Sequence, residues 1–229
     1  MIKRVFYFLA CFLFLQSVTA QKEKDSLIIT LIPTFGQIPL KLYKTYISEN
    51  KDSVQISQFK FYISELQITF NDNSVFKNKE KYTLIDIENP KSMQLPICKK
   101  NGKVVTKILF NIGIDSTASV SGALSGDLDP TSGMYWAWQS GYINMKIEGK
   151  STSCKTRKNQ FQFHVGGYKN PFYAIRKIDL YPKSQSLSVT VDIAEIFSKV
   201  QLKETNSIMI PSKNAMELAD YSVTMFKTE

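Results

Sequence analysis

Val54-Gln55-Ile56-Ser57-Gln58-Phe59-Lys60-Phe61-Tyr62-Ile63-Ser64-Glu65-Leu66-Gln67-Ile68-Thr69-Phe70 carries the period-two alternation that decides the fold class. Phe59, Phe61 and Ile63 alternate with Lys60, Tyr62 and Ser64. Past Ser64-Glu65 the apolar set changes phase: Leu66, Ile68 and Phe70 alternate with Gln67 and Thr69. A slip of one residue turns every later side chain to the other face. A bulge, or a bend between two strands, is therefore expected at Ser64-Glu65.

Outward from this stretch the same period recurs. Ser26–Ile32 alternates and Pro33 ends it. Pro39–Tyr46, Tyr82–Ile87, Val104–Ile114, Gly141–Ile147, Phe161–Val165, Ala174–Leu180 and Leu187–Ile193 read as further strands. Asn71-Asp72-Asn73-Ser74 reads as a turn and Asp115–Gly126 as a small, polar loop. Asp192–Ser198 suits one helical turn. Ser212 suits the cap of a helix from Asn214 to Phe226, with Met216, Ala219, Val223 and Phe226 in one stripe. About ten short strands with frequent turn signals and little helix imply an all-β fold, an antiparallel β-sandwich with a short C-terminal helix. The sequence shows no repeat and no interdomain linker, so residues 21–229 are expected to form a single domain.

The first twenty residues read as a signal peptide. Lys3 and Arg4 precede the apolar run Val5–Leu15, which is too short to span a bilayer. Val18-Thr19-Ala20 supplies small residues for cleavage before Gln21. Cys11 lies inside the apolar run, and Phe8-Leu9-Ala10 is a poor lipobox, so a lipid anchor is disfavoured. No later segment is apolar enough for a transmembrane helix. The expected location is periplasmic, secreted or cell-surface.

The 229 residues include 29 Lys and Arg against 20 Asp and Glu. Removing Lys3 and Arg4 leaves 27 basic residues. They are scattered, with small clusters at Lys77–Lys81, Cys98–Lys103 and Lys155–Lys158, which suit solvated loops. Association with an anionic outer surface is compatible with this charge, and no nucleic-acid partner is expected of an exported protein. Two cysteines remain after processing. In an oxidising compartment Cys98 and Cys154 are expected to form one disulfide; a thiolate pair holding a metal is the alternative.

One histidine, His164, limits the chemistry. One chain cannot build a site of two or three histidines. The sequence contains no Gly-x-Ser-x-Gly elbow, dinucleotide-binding glycine pattern or P-loop. Asp127 and Asp129 are the nearest paired carboxylates, but they precede a proline in a turn, where Asp bonds its own backbone. A catalytic site is not expected. His164 stands opposite Phe161, Phe163 and Val165 in the alternation. It reads either as a structural histidine or as a soft-metal ligand. Copper suits imidazole together with a thioether from Met134 or Met145.

Both tryptophans fall within Gly126–Asn144. Trp136 and Trp138 share a face if the chain there is extended, either packing a core or offering a stacking platform with Tyr135 and Tyr142. This stretch carries a family resemblance, together with Phe59–Leu66, Phe110–Ser116, Lys146-Ile147-Glu148-Gly149 and Phe163-His164-Val165-Gly166-Gly167-Tyr168. The chain from about Ile28 to Phe226 resembles the MbnP-like domain. That family is named after a periplasmic protein associated with methanobactin, a copper-binding peptide, and is related to copper-repressible surface proteins. The resemblance implies a β-rich exported protein. It also implies Cu(I) held by histidines and by a kynurenine made from tryptophan. On this chain the implied metal residues are His164, Trp136 as the modifiable position with Trp138 second, and Met134. The characterised copper sites use more than one histidine, and this chain departs from them there.

The leading expectation is thus a non-enzymatic copper-binding protein for uptake or sequestration, with an outer-membrane transport partner conceivable. The alternatives are a module that binds a glycan or another organic ligand through Tyr135, Trp138 and Tyr142, and a structural surface protein without metal.

Overall fold

A computed structural model describes residues 26–99, 102–139, 141–183 and 187–228. The expected signal peptide lies outside these residues. The described chain runs β1 (Ser26–Phe35), β2 (Ile38–Pro39), β3 (Thr45–Ile47), β4 (Ser53–Phe70), β5 (Val75–Lys77), β6 (Tyr82–Asp86), β7 (Gln94–Lys99), β8 (Val105–Ile112) and a helix α1 (Ser116–Val120). It continues through β9 (Met145–Lys150), β10 (Gln160–Val165), β11 (Tyr168–Lys169), β12 (Phe172–Tyr173), β13 (Arg176–Leu180), β14 (Ser188–Asp192), α2 (Ala194–Phe197), β15 (Ser207–Ile208), α3 (Lys213–Ser222) and β16 (Phe226–Thr228).

Two sheets face each other. One has the order β16-β14-β1-β2, with β7 also on β1. The other has the order β13-β8-β4-β9-β10-β15, with β3, β5 and β6 also on β4. Leu27, Ile29 and Leu31 of the first sheet join Phe59, Phe61, Ile108, Phe110, Phe161 and Phe163 of the second in one core. Aromatic contacts tie the layers together. Phe226 meets Phe61 and Phe110 edge-on, with ring centroids 5.7 and 5.2 Å apart. Phe197 of α2 bridges Phe35 and Phe161 at 6.0 and 5.3 Å. Burying such rings is the main favourable term in this fold, at roughly 25 cal/mol per Å² of apolar surface.

The phase change in β4 is a bulge within one continuous strand. The register against β8 jumps between Ser64 and Gln67. Glu65 takes up the extra residue with φ 54°, and its N–H donates to the Lys81 carbonyl. Because of this bulge, Phe59, Phe61 and Ile63 before it and Leu66, Ile68 and Phe70 after it can all be buried.

The sandwich is mixed rather than wholly antiparallel. β1 pairs β14 in parallel, and so does β10 with β15. Parallel neighbours need a long intervening crossover, and residues far apart in sequence supply it. β1 also runs through Pro33, whose carbonyl accepts from Leu40 N–H. Pro39–Tyr46 contributes only the ends of two short strands, and β7 (Gln94–Lys99) is a strand the alternation did not reveal. The final strand of the 141–147 region begins at Met145. Asp115–Gly126 is not all loop: Asp115 caps α1 by accepting from Ala118 N–H at 2.9 Å.

Ser212 caps α3 as expected, accepting from Ala215 N–H at 3.2 Å. The helix stops at Ser222, however, and its buried stripe is Ala215, Leu218, Ala219 and Ser222. Phe226 instead opens β16, where pairing with β14 and the core aromatics win over continued helix.

The expected disulfide is not formed, and both thiols are free. Cys98 pairs with Leu27 at the start of β1. Phe35, at the other end of β1, stacks on Tyr46 at 4.7 Å. Tyr46 pairs with Val54, near the Asp52 carboxylate that accepts from Ser153, the residue before Cys154. The cysteines therefore sit at opposite ends of the sandwich. They are separated by roughly 25 Å of strand at about 3.3 Å per residue, whereas a disulfide needs Cα atoms within about 7 Å. Burial pushes the Cys154 thiol up to about 11 and raises the Cys98 thiol as well, so neither is poised as a thiolate ligand.

The left-handed conformation at Glu65 gives a direct test of the bulge. Glu65→Val should destabilise by about 1–2 kcal/mol in urea unfolding, because a β-branched residue resists positive φ. Glu65→Gly should stay within about 0.5 kcal/mol of wild type. Equal stability of the valine and glycine variants would contradict the bulge.

Candidate metal and ligand site

Tyr62 points away from the main core. Its neighbours Phe61 and Ile63 face inward, so alternation turns Tyr62 to the outer face of the large sheet. There it joins Ile114, Ala118, Leu128, Met134, Trp136, Tyr142 and Ile143 in a second, smaller core. The segment from α1 to β9 folds over the sheet to make it. Tyr62 and Tyr142 meet edge-on at 6.1 Å. The Tyr62 hydroxyl donates to the Asp127 carbonyl at 2.9 Å, and burial raises its pKa. The Tyr142 hydroxyl donates to the Leu128 carbonyl and accepts from Leu124 N–H, both at 3.0 Å.

The aromatic stretch is a fold-back. Ile143 N–H donates to Met134 O and Trp136 N–H to Gly141 O, each at 2.9 Å, and Tyr135 bridges Tyr142. Asn144 N–H then donates to Val165 O at 2.7 Å, which ties the segment to the end of β10. Asp129 caps the turn Pro130–Ser132 by accepting from Thr131 N–H at 2.8 Å, and Asp127 accepts from Leu84 N–H at 2.8 Å. Asp129 thus bonds its own turn, as expected, whereas Asp127 reaches across to the backbone of β6 instead.

Beneath the turn lies a row of charge. Cross-strand register sets Asp86 beside Lys60, Lys60 beside Lys146, and Lys146 beside His164. The Lys60 ammonium pairs with Asp86 at 2.9 Å and donates to Ser132 O at 3.4 Å. The Lys146 ammonium donates to Gly133 O at 3.2 Å and lies 3.6 Å from Glu148. Both lysines therefore hold the carbonyl end of the turn that leads into Met134 and Trp136. Glu148 in turn holds His164, with Oε1 2.6 Å from Nε2. The hydrogen bond from His164, aided by the Lys146 charge, keeps the Glu148 carboxyl below its ordinary range despite burial. An ionised carboxylate only accepts, so the Nε2 atom carries the proton. In the neutral ring this leaves the lone pair on Nδ1.

The Trp136 ring reaches the end of β10 at Gly166. A Cβ on Gly166 would lie 2.8 and 2.9 Å from two carbons of the Trp136 ring and 2.6 Å from the Tyr142 carbonyl oxygen. Gly166 is two residues beyond His164, on the same side of the chain as it leaves β10. Trp136 is 5% exposed, and its buried indole N–H has no hydrogen-bond partner among the described residues. Such an orphan donor is uncommon in folded proteins.

Met134 shares the second core with Trp136 and is wholly enclosed there, while Met145 faces the main core, opposite His164. Tyr142 is buried and Tyr135 half-buried. The four aromatics therefore do not form one exposed platform; Trp138 alone is largely exposed, at 65%. Its centroid is 6.2 Å from that of Trp136, with the rings inclined at 53°. Among the described residues, no group of three or more His, Cys, Asp or Glu is arranged to hold a metal. Alternation alone did not single out Lys60, Lys146 and Glu148. Only the pairing register lines up Lys60 and Lys146 with His164.

The family model for MbnP matches residues 24–210. The chain belongs to the MbnP family. Among solved structures it is similar to MbnP from Methylosinus trichosporium, at 11% identity and a TM-score of 0.60, over 78% of this chain and 79% of that one. At that identity the likeness speaks for the fold. No curated protein matches the chain. No described helix is long and apolar enough to cross a membrane.

The lowered Glu148 carboxyl has a pH consequence. Its stabilising effect is present above the ordinary glutamate value of 4.5 and is lost as the pH falls below it. Wild type should lose more unfolding free energy than Glu148→Gln between about pH 5 and pH 3. Parallel pH profiles for the two proteins would exclude the pair as a stabilising element.

Proposed function

We propose that this MbnP-family protein is exported and binds Cu(I), with His164 as its imidazole ligand beside Trp136. The carrying observation is the 2.6 Å contact between Glu148 and the His164 Nε2 atom. Metal-binding histidines commonly donate one ring N–H to a carboxylate, which fixes the tautomer and makes the other nitrogen more basic. Here Glu148 plays that part, and Nδ1 is the coordinating atom. Imidazole suits copper.

The second ligand comes from Trp136. An intact indole is only a hydrogen-bond donor. Oxidative opening to kynurenine, the chemistry implied by the family resemblance, takes up dioxygen across the indole C2–C3 bond and then loses C2 as formate on hydrolysis, which leaves an amine and a carbonyl. The buried indole N–H of Trp136, which has no hydrogen-bond partner among the described residues, supports this position. Met134 is not needed as a ligand. With a single histidine the site holds Cu(I) through fewer imidazoles than its characterised relatives. Uptake or sequestration at the cell envelope, after removal of residues 1–20, is the role that follows. Protein isolated from the envelope should begin at Gln21.

Titration with Cu(I) against a competing chelator tests the site. His164→Ala should weaken binding by at least about a hundredfold, and Glu148→Gln by about 10–100-fold through the lost orientation of the ring. A wild-type affinity no tighter than that of His164→Ala would refute the assignment.

A further inference from the structure

A cavity of about 220 Å³ opens next to Trp136, on the side of the second core where the β11–β12 hairpin lies. Trp136, Tyr168 and Phe172 give it aromatic walls, and Gln139, Asn170 and Lys169 add two amides and one ammonium. Trp138 stands beside it, 65% exposed, its ring inclined at 53° to that of Trp136. The Lys169 ammonium sits 5.2 Å from the centre of the Tyr168 ring.

We infer that this cavity binds one sugar ring of an acidic glycan, a uronate-type pyranose. Its volume is below the roughly 300–1,000 Å³ typical of sites for drug-sized ligands, so it selects a single ring. The aromatic walls match the apolar C–H face of a pyranose, while the side-chain amides can both donate to and accept from ring hydroxyls. The charge lining the cavity is a cation, and none of its described lining residues is a carboxylate. An anionic ring is therefore favoured over a neutral or basic one. Trp138, outside the cavity, is placed to cover a neighbouring ring of the same chain. Its centroid lies 6.2 Å from that of Trp136, so its ring continues the aromatic wall of the cavity outward. The inference does not depend on copper and is tested on metal-free protein.

Isothermal titration of the full-length mature protein with trigalacturonate and with neutral galactotriose is the test. Trigalacturonate should bind at least about tenfold more tightly than galactotriose. Trp138→Ala should weaken trigalacturonate by about tenfold or more. Lys169→Gln should erase the preference for the acidic sugar by bringing the trigalacturonate affinity down to that of galactotriose. Both substitutions fall at exposed positions, and unchanged circular dichroism would verify their folding. Absence of trigalacturonate binding, equal binding of the two sugars by wild type, or an unaltered affinity in Trp138→Ala would overturn the inference.

Discussion

The contact of the Trp136 ring and the Tyr142 carbonyl with the bare Cα of Gly166 is the constraint on which the outer face of this sandwich depends. The sheet itself would close without it, since β4, β8, β9 and β10 share a core of their own. The segment from Gly126 to Asn144 is tied to the sheet by Asn144, which donates to the Val165 carbonyl and accepts from Tyr62 N–H, and by side-chain donors to the Asp127, Ser132 and Gly133 carbonyls. The Gly166 contact adds the seat of the Trp136 ring. A side chain at residue 166 would push the Tyr142 carbonyl and the indole away together. The glycine is therefore needed for close approach rather than for an unusual turn.

Below this contact, electrostatics completes what packing begins. Lys60 and Lys146 are mostly shielded, with side chains 13% and 14% exposed. Each meets one carboxylate and one turn carbonyl. Charges so placed are costly unless paired and hydrogen-bonded, and here each is both. The same row ends at Glu148 and His164, so the device that seats the turn also fixes the only imidazole of the chain. Lys146 meets both the Gly133 carbonyl, at the start of the stretch that carries Trp136, and Glu148, which holds His164. This link supports the proposal that His164 and Trp136 serve one site, and a single histidine limits what that proposed site can offer a metal.

Much of this was legible in the sequence. The period-two patterns located most of the long strands, and the phase change at Ser64-Glu65 located the bulge, because burial on both sides of it leaves a visible mark. The aromatic stretch and Phe163–Tyr168 identified the family. Other features could not be read, for physical reasons. Parallel pairing of β1 with β14 is a long-range choice that alternation does not encode. α1 is too short to show a helical period. The distance between Cys98 and Cys154 depends on which end of the sandwich each strand reaches, so a pair that export made reasonable proves unbridgeable. Tyr62 reads as one more aromatic in a strand, yet it founds the second core. Register, not composition, lines up Lys60, Lys146 and His164 across β4, β9 and β10.

The central claim is that Trp136, with its indole intact, is held against the end of β10 by the gap at Gly166. The most direct measurement is tryptophan emission and unfolding free energy of Gly166→Ala in a Trp138→Phe background, where Trp136 is the sole reporter. The account predicts a red shift of the emission, as water reaches the indole, and a loss of about 1–3 kcal/mol from overpacking. Unchanged emission with unchanged stability would contradict it.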